Sequence, residues 1–90
     1  MTNSPEFLNA AKVVVNLLSS PSNDELSNLY GLYKQAIVGI NTTEKPSFIN
    51  YKAYQKWLSW TSFNELTTRQ AEIKYITLVN MLIQKYGLKQ

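Results

Sequence analysis

Apolar residues recur at steps of three and four in four stretches of this 90-residue chain, and each stretch predicts a helix. The first opens at Ser4-Pro5-Glu6, where a serine caps and proline suits the first helical position. Phe7, Ala10, Ala11, Val14, Leu17 and Leu18 then fall on one face. Val13-Val14-Val15 has strand propensity, but the periodicity favours helix. The second stretch begins near Asn23 or Asp24, with Glu25 in a first turn that welcomes negative charge. Leu26, Leu29, Tyr30, Tyr33, Ala36 and Ile37 repeat the face pattern, and Gly39 is placed to end it.

The third stretch runs from about Tyr51 to Phe63, with Tyr54, Trp57 and Leu58 on one side. The fourth starts at a capping signature, Thr67 or Thr68 with Gln70 or Glu72 downstream. Ile73, Tyr75, Ile76, Val79, Leu82, Ile83 and Tyr86 then lead to Gly87. Breaks fall at Ser19–Asn23, at Gly39–Ser47 and around Asn64–Thr67, the second being the longest. No stretch alternates with period two for long enough to make a strand. The expected fold class is all-α, a four-helix bundle with one long connection between the second and third helices, in a single domain spanning residues 1–90.

Composition narrows the chemistry. The chain has no cysteine and no histidine, so it lacks a thiolate ligand and the commonest general base at neutral pH. Its six carboxylates, Glu6, Asp24, Glu25, Glu44, Glu65 and Glu72, show no D-x-D or E-x-x-E spacing. An enzyme is not expected, nor a metal or other cofactor. The apolar run Val13–Leu18 is interrupted by Asn16 and far short of the roughly 18 residues that span a bilayer. Pro5 and Glu6 stand where a signal peptide has a basic start, so the default location is cytoplasmic and the default state a monomer. Net charge is +3, and eight of the nine basic residues lie from Lys34 onward. Such a surface attracts anions: nucleic acid, acidic lipid or a phosphorylated small molecule. The lysines are scattered, which argues against a nucleic-acid partner.

The densest candidate feature is Tyr30-Gly31-Leu32-Tyr33-Lys34-Gln35-Ala36. On a helix, Tyr30, Tyr33 and Lys34 share a face, presenting two phenol rings and an ammonium. Gly31 costs about 1 kcal/mol relative to alanine inside a helix. Its lack of a side chain is expected to leave the surface beside Tyr30 open to a flat group. An aromatic platform with a cation beside it suits a nucleotide, the base stacking and a phosphate meeting Lys34. The alternative is that both tyrosines are half-buried core residues and Lys34 is simply solvated. Lys52 and Lys56 are four apart and therefore on one face, a repulsion that an anionic partner offsets and that a solvated surface also tolerates. Trp57 reads as core, while Trp60 fits either core or platform. Tyr75, beside Lys74, needs a hydroxyl partner if buried. Gln35 is expected to tie loop backbone groups.

Taken together these residues resemble the acyl-CoA-binding protein family. The strongest part is Pro21, Asp24-Glu25-Leu26, Leu29 through Ala36 and Val38-Gly39, with the Y-x-x-Y-K-Q-A core formed by Tyr30, Tyr33, Lys34, Gln35 and Ala36. Asn41 to Pro46, Lys56-Trp57, Trp60, Ala71, Tyr75-Ile76 and Lys85 to Leu88 follow in one gapless register. The resemblance implies an up-down-down-up four-helix bundle that binds medium- to long-chain fatty acyl-CoA esters, carries and buffers them, and catalyses nothing. It implies a ligand site of Tyr30, Gly31, Leu32, Tyr33, Lys34, Lys52, Lys56 and Tyr75. Tyr30, Tyr33 and Lys34 are expected to meet adenine and the 3′-phosphate, Lys56 to join that phosphate with Lys52 nearby, and Tyr75 to lie against the CoA and acyl region. Partners would be the ester itself and, transiently, membranes or acyl-CoA-using enzymes.

This chain departs from the family pattern at Val15 and near Ser20, where lysine is frequent, and at Ser27, Ile37 and Ile40. Those departures motivate a rival reading, a helical protein-interaction module that keeps the fold without the ligand. Neither Tyr33 nor Lys34 is expected to be essential to the core.

Overall fold

The computed structural model describes residues 3–89. Four helices follow in order: α1 (Pro5–Val13), α2 (Asn23–Ile37), α3 (Tyr51–Thr61) and α4 (Thr68–Tyr86), with no strand among the described residues. Three are started by side-chain caps. Ser4 accepts from the Phe7 N–H at α1. Ser22 with Glu25, and Thr67 with Gln70, form complete capping boxes at α2 and α4, each satisfying donors that a helix leaves unpaired. Gly87 closes α4 with φ of 78°, a conformation that favours glycine.

Cross-links between helix ends set the topology. The Ser4 N–H donates to the Glu72 carboxylate near the start of α4 (3.0 Å), and the Leu18 N–H donates to the Gly87 carbonyl past its end (2.9 Å), so α1 and α4 run parallel. Glu25 at the start of α2 meets Lys85 and Tyr86 at the end of α4, and the Gln35 amide near the end of α2 donates to the Leu66 carbonyl before α4 (2.7 Å). Thus α2 is antiparallel to α4. Lys56 lies over Tyr30 and Lys34 over Trp60, so α2 and α3 run parallel. The bundle is up-down-down-up, as the family resemblance implied. Its core joins Phe7 and Ala10 of α1, Leu29, Leu32 and Ala36 of α2, and Ala71, Tyr75, Val79 and Leu82 of α4.

The first segment departs from expectation. After Val13 the helix tightens into a 3₁₀ turn (Val14–Asn16), and Leu17 is extended, with φ −63° and ψ 140°. Three β-branched residues in a row give the α-helix little support here. The backbone instead bridges to the C-terminal end: Leu17 pairs antiparallel with Leu88, and the Lys89 N–H donates to the Asn16 carbonyl (2.8 Å). Leu17 is consequently buried while Leu18 stays exposed, so the single helical face drawn through both does not exist.

The long connection, residues 38–50, is pinned to α3. Buried Asn41 donates to the Thr61 hydroxyl (3.0 Å) and accepts from the Thr43 N–H, while its own N–H donates to Asn64 (3.0 Å). The indoles do the same work: Trp57 donates to the Thr43 carbonyl (3.0 Å) and Trp60 to the Gly39 carbonyl (2.8 Å). Trp60 is the buried indole and Trp57 is half-buried, which reverses the core assignment made for Trp57. An amphipathic indole at a loop junction needs its N–H met, and the loop carbonyls supply that. No helix among the described residues is long and apolar enough to cross a membrane.

Candidate binding site

Because α2 and α3 are parallel, residues at equal heights face one another across a seam. Tyr30 and Lys34 are one turn apart on α2, and Lys56 and Trp60 are one turn apart on α3. The pairs interlock: the Lys56 ammonium is 5.3 Å from the Tyr30 ring centre, and the Lys34 ammonium is 4.8 Å from that of Trp60. Each cation rests on the electron-rich face of a ring. The two lysines therefore belong to one seam. Among the described residues no carboxylate lies within ion-pair distance of Lys34, Lys52 or Lys56. Their charge is available to an anion from outside.

A cavity of about 480 Å³ opens along this seam toward the N-terminal ends of α2 and α3. Leu26, Ser27 and Tyr30 form its α2 wall, and Lys52, Gln55 and Lys56 its α3 wall. The spacing of each set is helical, which is why two short stretches of sequence suffice to build it. Leu26 and Tyr30 supply apolar surface; Ser27 and Gln55 add half-buried polar groups. Of the residues anticipated from sequence, Tyr30, Lys52 and Lys56 line the cavity directly, and Lys34 lies further along the seam.

Tyr33 and Tyr75 form a second group. Their ring centres are 5.9 Å apart, and Phe7 of α1 sits 5.8 Å from Tyr33 and 5.0 Å from Tyr75. Phe7 is fully buried, Tyr75 is 4 % exposed and Tyr33 is half out in solvent. The Tyr75 ring is thus part of the core, with its phenol pushed up to about 12 by burial and, secondarily, by the neighbouring Tyr33. Tyr33 is more integral to packing than its sequence suggested: it covers the aromatic end of the core on the side adjoining Lys34.

Gly31 has a different role from the one its sequence suggested. A Cβ there would collide with the Ser59 carbonyl and stand 2.7 Å from the Phe63 ring. The surface beside it is not open; it is a point of close approach between α2 and the end of α3. Leu32 is likewise a core residue. Phe7, Gln55 and Ser59 were not anticipated as contributors to the site. Phe7 is remote in the chain, and Gln55 and Ser59 are unremarkable polar residues whose signal was only helical spacing, Gln55 four residues from Tyr51 and Ser59 three from Lys56.

Ammoniums laid over aromatic rings beside a cavity with apolar and polar walls suit an anionic, partly aromatic, partly apolar ligand. Comparison with known proteins specifies the class. The family model described as acyl CoA binding protein matches residues 4–79. The acyl-CoA-binding protein homolog 1 of Caenorhabditis elegans is 47 % identical over 81 residues, covering 90 % of this chain and 94 % of that one. The Saccharomyces cerevisiae acyl-CoA-binding protein is 48 % identical, covering 90 % and 93 %. Among solved structures, Oryza sativa acyl-CoA-binding protein 2 superposes with a TM-score of 0.86 at 38 % identity, covering 89 % of this chain and 87 % of that one. This chain belongs to the acyl-CoA-binding protein family.

Proposed function

We propose that the chain, as one domain over residues 1–90, reversibly binds medium- to long-chain fatty acyl-CoA esters, carrying and buffering them without converting them. The observation that carries this reading is the seating of the Lys56 ammonium on Tyr30 at the cavity, with Lys34 in the same seam. A CoA head group brings phosphates and an adenine. Lysines without carboxylate partners make charge-assisted hydrogen bonds to the first, and phenol faces accept stacking by the second.

In this reading Tyr30, Tyr33 and Lys34 meet adenine and the 3′-phosphate, Lys56 joins the phosphate, and Lys52 adds long-range attraction. Tyr75 supports Tyr33 from beneath and borders the CoA and acyl region. Gly31 and Leu32 act from below, by seating α3 and filling the core. The acyl chain lies in the cavity against Leu26 and Tyr30, where each methylene contributes roughly 0.8 kcal/mol. Affinity therefore rises with chain length until the cavity is filled, and free fatty acid binds weakly. The protein works as a cytoplasmic monomer, needs no cofactor and does not bind nucleic acid. It passes its ligand to membranes and acyl-CoA-using enzymes.

Titration calorimetry with a series of acyl-CoA chain lengths tests this. Heat and thermal stabilisation that grow with chain length are expected. Absence of both at saturating palmitoyl-CoA would favour the protein-interaction module, and steady hydrolysis of the ester by purified protein would overturn the non-enzymatic part.

A further inference from the structure

The connection between α2 and α3 ends in a tip that nothing in the fold covers. Phe48 is 75 % exposed, Ile49 85 % and Tyr51 68 %. Bulky apolar side chains scattered singly are ordinary at a surface, but three within four positions on one projection are not. The tip is preformed: the Asn50 N–H donates to the Ser47 carbonyl (3.0 Å) and the Ile49 N–H to the Ser47 hydroxyl (3.2 Å), closing a turn that holds Phe48 and Ile49 outward.

We infer that Phe48, Ile49 and Tyr51 form a wedge that inserts shallowly into an anionic phospholipid bilayer. Three exposed bulky apolar side chains on and beside one hydrogen-bonded turn favour lipid as the occupant, because a fluid closes around side chains that no rigid pocket receives. The charge agrees. Lys45 lies over the Tyr54 ring (5.4 Å) on one flank, and Lys52 and Lys56 follow on the first turns of α3; the carboxylates of this region are Glu44 and Asp24. Lysine ammoniums at headgroup level above buried apolar side chains, with a tyrosine at the boundary, are the arrangement of interfacial anchors. One such wedge gives weak, reversible attachment. Tyr51 and Lys52 also line the cavity, so docking at the tip sets the cavity mouth against the bilayer surface. The inference rests on the acyl-CoA reading for its purpose, since an ester reaching or leaving a membrane needs that proximity, but not for its chemistry.

The test is co-sedimentation of the full chain with phosphatidylcholine vesicles, with and without phosphatidylserine. The unaltered protein is expected to partition onto the phosphatidylserine vesicles. Phe48→Ser/Ile49→Ser should lower that partitioning about tenfold or more, given the apolar area withdrawn. Lys45→Gln should weaken it less and reduce its salt dependence. Because the chain has no cysteine, Ile49→Cys carrying an environment-sensitive dye should shift to the blue with vesicles, while Gln84→Cys on the exposed side of α4 should not. Equal partitioning of the unaltered and doubly substituted proteins, or no partitioning of either, overturns the wedge. Calorimetry with palmitoyl-CoA in the absence of vesicles separates the two readings. The double variant should bind as the unaltered protein does, and failure of both to bind while vesicle attachment persists counts against the carrier alone.

Discussion

The ammonium of Lys56 lies 5.3 Å from the centre of the Tyr30 ring, so a cation from α3 rests on an aromatic face from α2. The same contact repeats one turn along, with the helices exchanged, between Lys34 and Trp60. Contacts of this kind at partly exposed positions contribute only about 0.5–1 kcal/mol to stability. Their larger consequence is positional: two flexible side chains are held with their charges along one seam, so less freedom is lost when a phosphate arrives.

Removing either ammonium should therefore affect binding far more than folding. Lys34→Ala and Lys56→Ala are each expected to lower acyl-CoA affinity by an order of magnitude or more, since a hydrogen bond to a charged group is worth about 1.5–3 kcal/mol. Added salt should weaken the unaltered protein's binding more than that of either variant. Calorimetry at two ionic strengths reads both effects, and an unchanged affinity in Lys56→Ala would remove the seam from the binding site.

Tyr33 should behave differently, because its ring packs on Phe7 at 5.8 Å. Tyr33→Ala is expected to lose stability as well as affinity, with the aromatic contact alone worth about 0.5–1.5 kcal/mol beyond the area it covers. Tyr33→Phe keeps the stack and should restore most of the stability. Urea denaturation of the two variants checks this; equal midpoints would mean the ring contributes nothing to the fold.

That mixture of packing and exposure explains what could be read from the chain and what could not. The helical period located all four helices, and capping residues located two of their starts, at Ser4 and at Thr67, one of the two threonines the sequence offered. The seam itself was half legible: Tyr30 with Lys34, and Lys52 with Lys56, follow from spacing within one helix. Which ring each ammonium meets depends on α2 and α3 being parallel, and no local pattern carries that. Gly31 was misread for the same reason. Its missing side chain marked a close approach, but only the tertiary arrangement shows that the approaching group is the Ser59 backbone and the Phe63 ring. Trp57 was misplaced in the core, and Trp60, left open between core and platform, proved the buried indole, because the loop carbonyls of Gly39 and Thr43, rather than hydrophobic periodicity, decide where each indole sits.

Glu25 ties the start of α2 to the end of α4, and its titration should be visible in stability. It accepts from the Lys85 ammonium (2.8 Å), the Tyr86 hydroxyl (2.5 Å) and the Ser22 N–H (2.8 Å), which together lower its pKa from 4.5 to about 2. A carboxyl depressed on folding stabilises fully above its unfolded pKa and loses that contribution as pH falls through the folded one. The stability from Glu25 should therefore be complete above about pH 4.5 and fade toward pH 2. Glu72 adds to the same acid-side loss. Burial works to raise its pKa, but hydrogen bonds from Asn3, the Ser4 N–H and Arg69 outweigh that and leave it lowered. Urea midpoints of Glu25→Gln and the unaltered protein should differ most at neutral pH and converge in strong acid. A difference independent of pH would mean that the charge on Glu25 is not what joins the two helices.

Gly31→Ala sets two effects of known sign against each other. In an unobstructed helix the substitution stabilises by about 1 kcal/mol. Here the new methyl meets a backbone carbonyl at Ser59, which cannot rotate away, and the edge of the Phe63 ring. Overpacking of that kind costs about 1–3 kcal/mol, so the net effect should be destabilising despite the gain in helix propensity. Relief requires α3 to move away from α2, and this separates Lys56 from Tyr30 and widens the seam. Affinity for acyl-CoA should fall as well, although no ligand-facing side chain has been altered. Thermal denaturation and calorimetry on the same sample test the linkage: a stabilised variant with full affinity would show that α3 is free to shift and that the close approach at Gly31 does not position the site.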